Sequence, residues 1–91
     1  MLDLDYLKQH REKKEIADII SDIERLDALV YWKNWDELKR HLQNIFQKHK
    51  CKAIAYNSVN PVPPQTIQQS AANCRRFLLS IGIEKIIEYL N

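Results

Sequence analysis

Glycine is nearly missing from this chain. Gly82 is the only one in 91 residues. Tight hairpin turns depend on glycine, and so do loops that let the backbone approach a phosphate. Its scarcity excludes a glycine-rich nucleotide-binding loop and argues against a sheet protein. Long hydrophobic runs are also absent, and no stretch approaches the ~20 apolar residues of a membrane span. The N-terminal residues Met1–His10 carry acids where a signal peptide carries bases, and they lack an apolar segment. The expected location is therefore the cytoplasm, with no membrane partner.

Cysteine is sparse. Cys51 and Cys74 stand 23 positions apart with no Cys-x-x-Cys spacing. Nothing implies a disulfide, and two reduced cysteines in or near a core are expected. His49 beside Cys51 is too small a ligand set for zinc. No metal and no cofactor is expected. Catalytic signatures are missing as well. Ser21, Ser58, Ser70 and Ser80 have no base-bearing motif around them, and His10, His41 and His49 are scattered among cations. Asp18 and Asp22 sit one helical turn apart, but Lys14 and Arg25 are equally close, so they read as a charged face. The expectation is a protein that is not an enzyme.

What is present is helical periodicity. Ile16, Ile19, Ile23, Leu26 and Val30 alternate spacings of three and four, a seam on one helix face. That seam suits either an intramolecular bundle or a homodimer. Ahead of it, residues 3–15 are polar and helix-favouring, with Leu4 and Leu7 as apolar contacts. Asn34 followed by Glu37 reads as a capping box opening a second helix, with Asp36 and Glu37 at its positive end. That helix carries Leu38, Leu42, Ile45 and Phe46, and fraying is expected around Ala55–Asn57. Three prolines within residues 57–64 mark a stiff linker. Helix resumes near Gln65, with Ile67, Ala71, Cys74, Phe77, Leu78 and Ile81 inward. Gly82 is placed to end it in the left-handed conformation. A short last helix follows, with Ile83, Ile86, Ile87 and Leu90 as its stripe. The fold class is all-α, a small helical bundle of three to five helices. The single domain 1–91 divides into an acidic helical segment 1–33, a basic helix 34–56, a Pro-rich linker 57–64 and C-terminal helices 65–91.

Charge is unevenly placed. Residues 1–37 hold ten acids against six bases, a net −4, and residues 38–91 hold eight bases against two acids, a net +6. No acid falls between Leu38 and Ile83. Lys39, Arg40, Lys48, Lys50, Lys52, Arg75 and Arg76 are therefore candidates for nucleic-acid binding through phosphate contacts. The competing reading pairs this basic region with the acidic helix, of the same chain or of a second copy. A helix-turn-helix is not expected in 75–91, because Glu84–Tyr89 is acidic and apolar where a groove reader is basic and polar.

Tyr31, Trp32 and Trp35 cluster at the first interhelical break. They either plug the bundle end or, with Arg40 and Lys33 nearby, form a protein-interface hot spot. The order of a Trp-containing helix, Asn60-Pro61 and a helix ending in Ile81–Ile83 resembles a portion of some phage small terminase subunits, which are helical DNA-packaging proteins. The resemblance covers about half the chain and implies DNA association. The chain departs from the family's pattern at Glu84-Lys85-Ile86, where a Pro-Ser-Arg continuation belongs.

Taken together, these features favour a small regulator or adaptor that binds another protein or a nucleoprotein complex. A DNA- or RNA-binding protein is the first alternative. The second is a structural homo-oligomer built on the Ile16–Val30 seam.

Overall fold

The computed structural model describes residues 3–50 and 64–91. They form four helices: α1 (Leu4–Lys8), α2 (Lys14–Tyr31), α3 (Trp35–His49) and α4 (Pro64–Leu90). The architecture is an all-α bundle, with no strand among the described residues. Helix α2 is central and packs on α1, α3 and α4, and α1 lies against α2 and α4 but not α3.

Each helix forms for a local reason. The Asp3 carboxylate caps α1 by accepting from the Asp5 and Tyr6 amides at 3.1 and 3.4 Å. The expected seam of α2 is real, but its destination is inside the chain. Ile16, Ile19, Ile23 and Leu26 are fully buried, and Val30 packs against the same core. A homodimer through this face would require the bundle to open. Apolar spacing alone cannot say which helix a seam meets, and here it meets α3 and α4. Leu38, Leu42 and Ile45 close the core from α3, and Ile67, Ala71, Cys74, Leu78 and Ile86 close it from α4. Phe46, Ile87 and Leu90 stay exposed.

The acidic segment is helical in two pieces, with residues 9–13 turning between α1 and α2. Three local expectations require correction. The basic helix stops at His49, where Lys50 takes the left-handed conformation (φ 59°), and Cys51–Asn57 lie outside the described residues. Asn34 occupies the cap position of α3, but its side chain makes no capping bond. Glu37 reaches Arg25 and Arg40 instead of the cap. Finally, Gly82 does not end a helix. α4 runs unbroken to Leu90, and the glycine has no positive φ. Ile81–Ile83 is therefore mid-helix, unlike the helix end on which the terminase resemblance rests.

The glycine has a packing role. A Cβ placed on Gly82 would lie 2.9 and 3.1 Å from the two Leu7 methyls and 3.6 Å from Ile19 Cγ2. Its bare backbone lets α1 seat Leu7 in the groove between α2 and α4. The left-handed helix ends fall to lysines instead. After α2, the Lys33 amide (φ 57°) donates to Val30 O at 3.1 Å and the Asn34 amide to Leu29 O at 3.0 Å. That pair of bonds is the Schellman closure, made here without glycine.

Candidate functional site

The tight α2–α3 closure pushes the last residues of α2 outward. Tyr31 and Trp32 are 75% and 74% exposed. They do not plug the bundle. They lean on each other edge to face, with ring centroids 5.0 Å apart and planes at 89°. Trp35, at the start of α3, is half-buried and packs on the core. The three aromatics adjacent in sequence thus divide into an exposed pair and a structural anchor. Arg40 lies near Glu37, its Nη2 at 3.1 Å from that carboxylate.

Below the exposed pair runs a groove of about 410 Å³ between α2 and α4, lined by Leu26, Asp27, Val30, Tyr31, Gln68, Ala71, Ala72 and Arg75. Leu26, Val30 and the two alanines make it mostly apolar. Its polar closure is an ion pair across the helices, Arg75 Nε to Asp27 Oδ1 at 2.9 Å. The sequence signal for this groove is slight. Ala71-Ala72 lowers the wall of α4, but nothing in the spacing says that α2 stands opposite.

The candidate phosphate-binding cations are dispersed and mostly engaged. Lys48 Nζ reaches Asp18 at 2.6 Å and Asp22 at 3.2 Å. Its ammonium is held above the ordinary lysine value, mainly by the Asp18 carboxylate, with burial opposing and Asp22 assisting. Arg75 is held by Asp27 and Arg40 by Glu37. Lys39 is half-buried and has an interaction of its own. Lys50 and Arg76 are exposed, and Lys52 lies outside the described residues. The chain's basic half therefore meets its acidic helix internally. Lys85 and Tyr89 continue this pattern at the far end, reaching Glu15 Oε2 at 3.3 and 3.1 Å. Those two hydrogen bonds hold the Glu15 carboxyl below the usual range.

A second cluster joins α2 to α3. Buried His41 donates from Nε2 to the Asp22 carbonyl at 3.0 Å, and His49 donates to Asp22 Oδ2 at 3.1 Å. Asp18, Asp22 and His49 bring three ligand-type atoms within 4.8 Å of one another. Lys48 bonds both carboxylates, so a protein ammonium already supplies the cation there. Sequence reasoning saw Asp18 and Asp22 on one face. It missed the histidines that meet them from α3, because their pairing is set by how α3 folds back. Cys74 is fully buried in the core.

Compared with protein-family models, with curated proteins and with solved structures, the chain matches none of them. Its function must therefore be sought in its own geometry.

Proposed function

We propose that this chain is a small, non-enzymatic regulator or adaptor that binds another protein through the α2–α3 corner. The observation that carries this reading is the exposed Tyr31–Trp32 pair, three-quarters in solvent and continuous with an apolar groove. Large aromatics left in water are costly, and tryptophan and tyrosine dominate the energetics of protein interfaces. Lys33, exposed at the same corner, adds a positive charge beside them. Among the described residues no helix is long and apolar enough to cross a membrane, and the proposed site of action is the cytoplasm.

A nucleic-acid role has less support. Three of its seven candidate cations, Arg40, Lys48 and Arg75, spend their charge on carboxylates of the same chain. A homo-oligomer on the Ile16–Val30 seam has less still, since that seam is core.

Affinity capture from extracts of the native organism, with bound proteins identified by mass spectrometry, tests the proposal. The Tyr31→Ala/Trp32→Ala double variant is expected to lose the captured partner. It should unfold within about 0.5 kcal/mol of the parent, because both side chains are exposed. A partner retained equally by the variant defeats the proposal. Salt-sensitive retention of nucleic acid in place of protein favours the alternative.

A further inference from the structure

The groove beneath Tyr31 lies along the same α2–α4 interface that seats α1. The α2 wall follows Ile20, Glu24, Asp27 and Tyr31, at spacings of four, three and four. The α4 wall runs antiparallel through Gly82, Leu79, Arg75, Ala72 and Gln68. The ion pairs Asp27–Arg75 and Glu15–Lys85 fix that direction. One end of this trough is already occupied. Helix α1 lies in it, with Leu7 against Gly82 and with Lys8 Nζ at 3.7 Å from Glu24. About ten residues farther along α4, or roughly 15 Å at the helical rise, the same trough is empty between Val30 and Ala72.

We infer that this empty groove takes a short amphipathic helix from a partner protein. That helix would present two leucine-class side chains one turn apart and acidic residues beside them. This inference rests on the protein-binding reading above and names what the partner contributes. Continuity supplies the shape. The chain itself shows what fits between α2 and α4, namely one or two turns carrying Leu4 and Leu7. Small side chains at Ala71 and Ala72 keep the α4 wall low where a helix would approach. Charge supplies the sign. Among the described residues the one acid lining the empty groove, Asp27, is taken by Arg75, and Arg76 is exposed one turn beyond Ala72. The rim is therefore net positive, where the α1 seat offers Glu24 to Lys8. Helix-in-groove recognition of this kind reads anchors at i and i+3 or i+4.

The probe is a helix-stapled peptide copying residues 2–9 of this chain with Lys8 replaced by Glu (K8E), titrated into the ¹⁵N-labelled full chain and followed by amide shifts. Saturable shifts are expected at Val30, Tyr31, Gln68 and Ala72, with Leu7 and Gly82 unmoved. Ala72→Glu adds bulk and a repelling charge at an exposed position, and is expected to weaken binding at least tenfold while the unfolding curve stays unchanged. Arg76→Glu is expected to weaken it less and to flatten its salt dependence. Three outcomes of the titration overturn the inference. They are no saturable shift through about 1 mM peptide, the weak end of specific binding; shifts centred on Leu7 and Gly82, which mean that the peptide competes with α1; or affinity unchanged in Ala72→Glu. A dimeric mass in light scattering that Ala72→Glu abolishes also overturns it, by assigning the groove to a second copy. If the peptide fails while captured protein still depends on Tyr31 and Trp32, only the helix inference falls. If both fail, the protein-binding reading falls with it.

Discussion

Replacing Gly82 with alanine sets two effects of similar size against each other, and the structure says which one wins. In a helix interior, alanine is favoured over glycine by about 1 kcal/mol. The new methyl would sit 2.9 Å from one Leu7 methyl and 3.1 Å from the other. Both contacts fall on the terminal methyls of Leu7, and Leu7 is fully buried, so relieving them means moving that side chain within a packed core. Overpacking of this kind costs about 1–3 kcal/mol. The expected net effect of Gly82→Ala is a loss of about 1 kcal/mol, roughly 4–8 °C in Tm for a domain of this size. The sign should reverse when Leu7 is shortened. In a Leu7→Ala background, which itself costs about 2–5 kcal/mol, the added methyl fills space. Its helix propensity then acts unopposed, and one more buried carbon adds about 0.8 kcal/mol. The double variant should be more stable than Leu7→Ala alone by about 1.5–2 kcal/mol, which makes the coupling about 3 kcal/mol. Urea unfolding of the four proteins by circular dichroism, at constant m-value, measures the cycle. If Gly82→Ala stabilises the parent chain, α1 is not seated on the glycine and the packing account fails. Equal destabilisation in both backgrounds also defeats it. That result belongs to a glycine needed for its own backbone conformation.

Two further expectations follow from the helix ends and the charge pairing. Lys33→Gly should stabilise the chain by about 0.5–1 kcal/mol in the same urea assay, since a left-handed residue with a Cβ closes α2 at φ 57°; an unchanged midpoint argues against that closure. Glu15 should titrate lower in the folded chain than in the urea-unfolded chain when followed by side-chain NMR, because Lys85 and Tyr89 hydrogen-bond its carboxylate. Its contribution is then complete above the ordinary glutamate range and vanishes as the pH falls through the lower folded value. Lys85→Met should move the folded midpoint back up, and no movement would remove the lysine as the main cause.

Much of the fold is legible in the residue order, because amphipathic spacing is a local property. The seam Ile16–Leu26, the Leu38–Leu42–Ile45 face and the Ile67–Leu78 face all become core. Asp36 and Glu37 open α3 as their charge suits. Gly82 misleads for a physical reason. A glycine late in a helical pattern signals either a left-handed end or a close approach, and only the neighbour across the interface distinguishes them. Lys33 and Lys50 mislead in the opposite direction, since lysine gives no signal for a left-handed backbone. The charge split is visible at once in the sequence. Its resolution is not, because Lys48 finds Asp18 and Asp22 thirty and twenty-six positions away. The aromatic cluster is likewise visible, but sequence cannot separate Trp35 from Trp32. Their difference is one of helix phase after a left-handed turn.

Residue order alone establishes that this chain is helical, which faces are apolar, and that its two charge signs are segregated. Those properties repeat within a few residues and depend on no distant contact. It takes the packed bundle to settle that the acids of α2 face the bases of α3 and α4, and that α1 seats between α2 and α4. Packing also leaves an apolar groove open between α2 and α4 beneath an exposed Tyr–Trp pair. These outcomes depend on which helices become neighbours, and close contact between distant segments sets that.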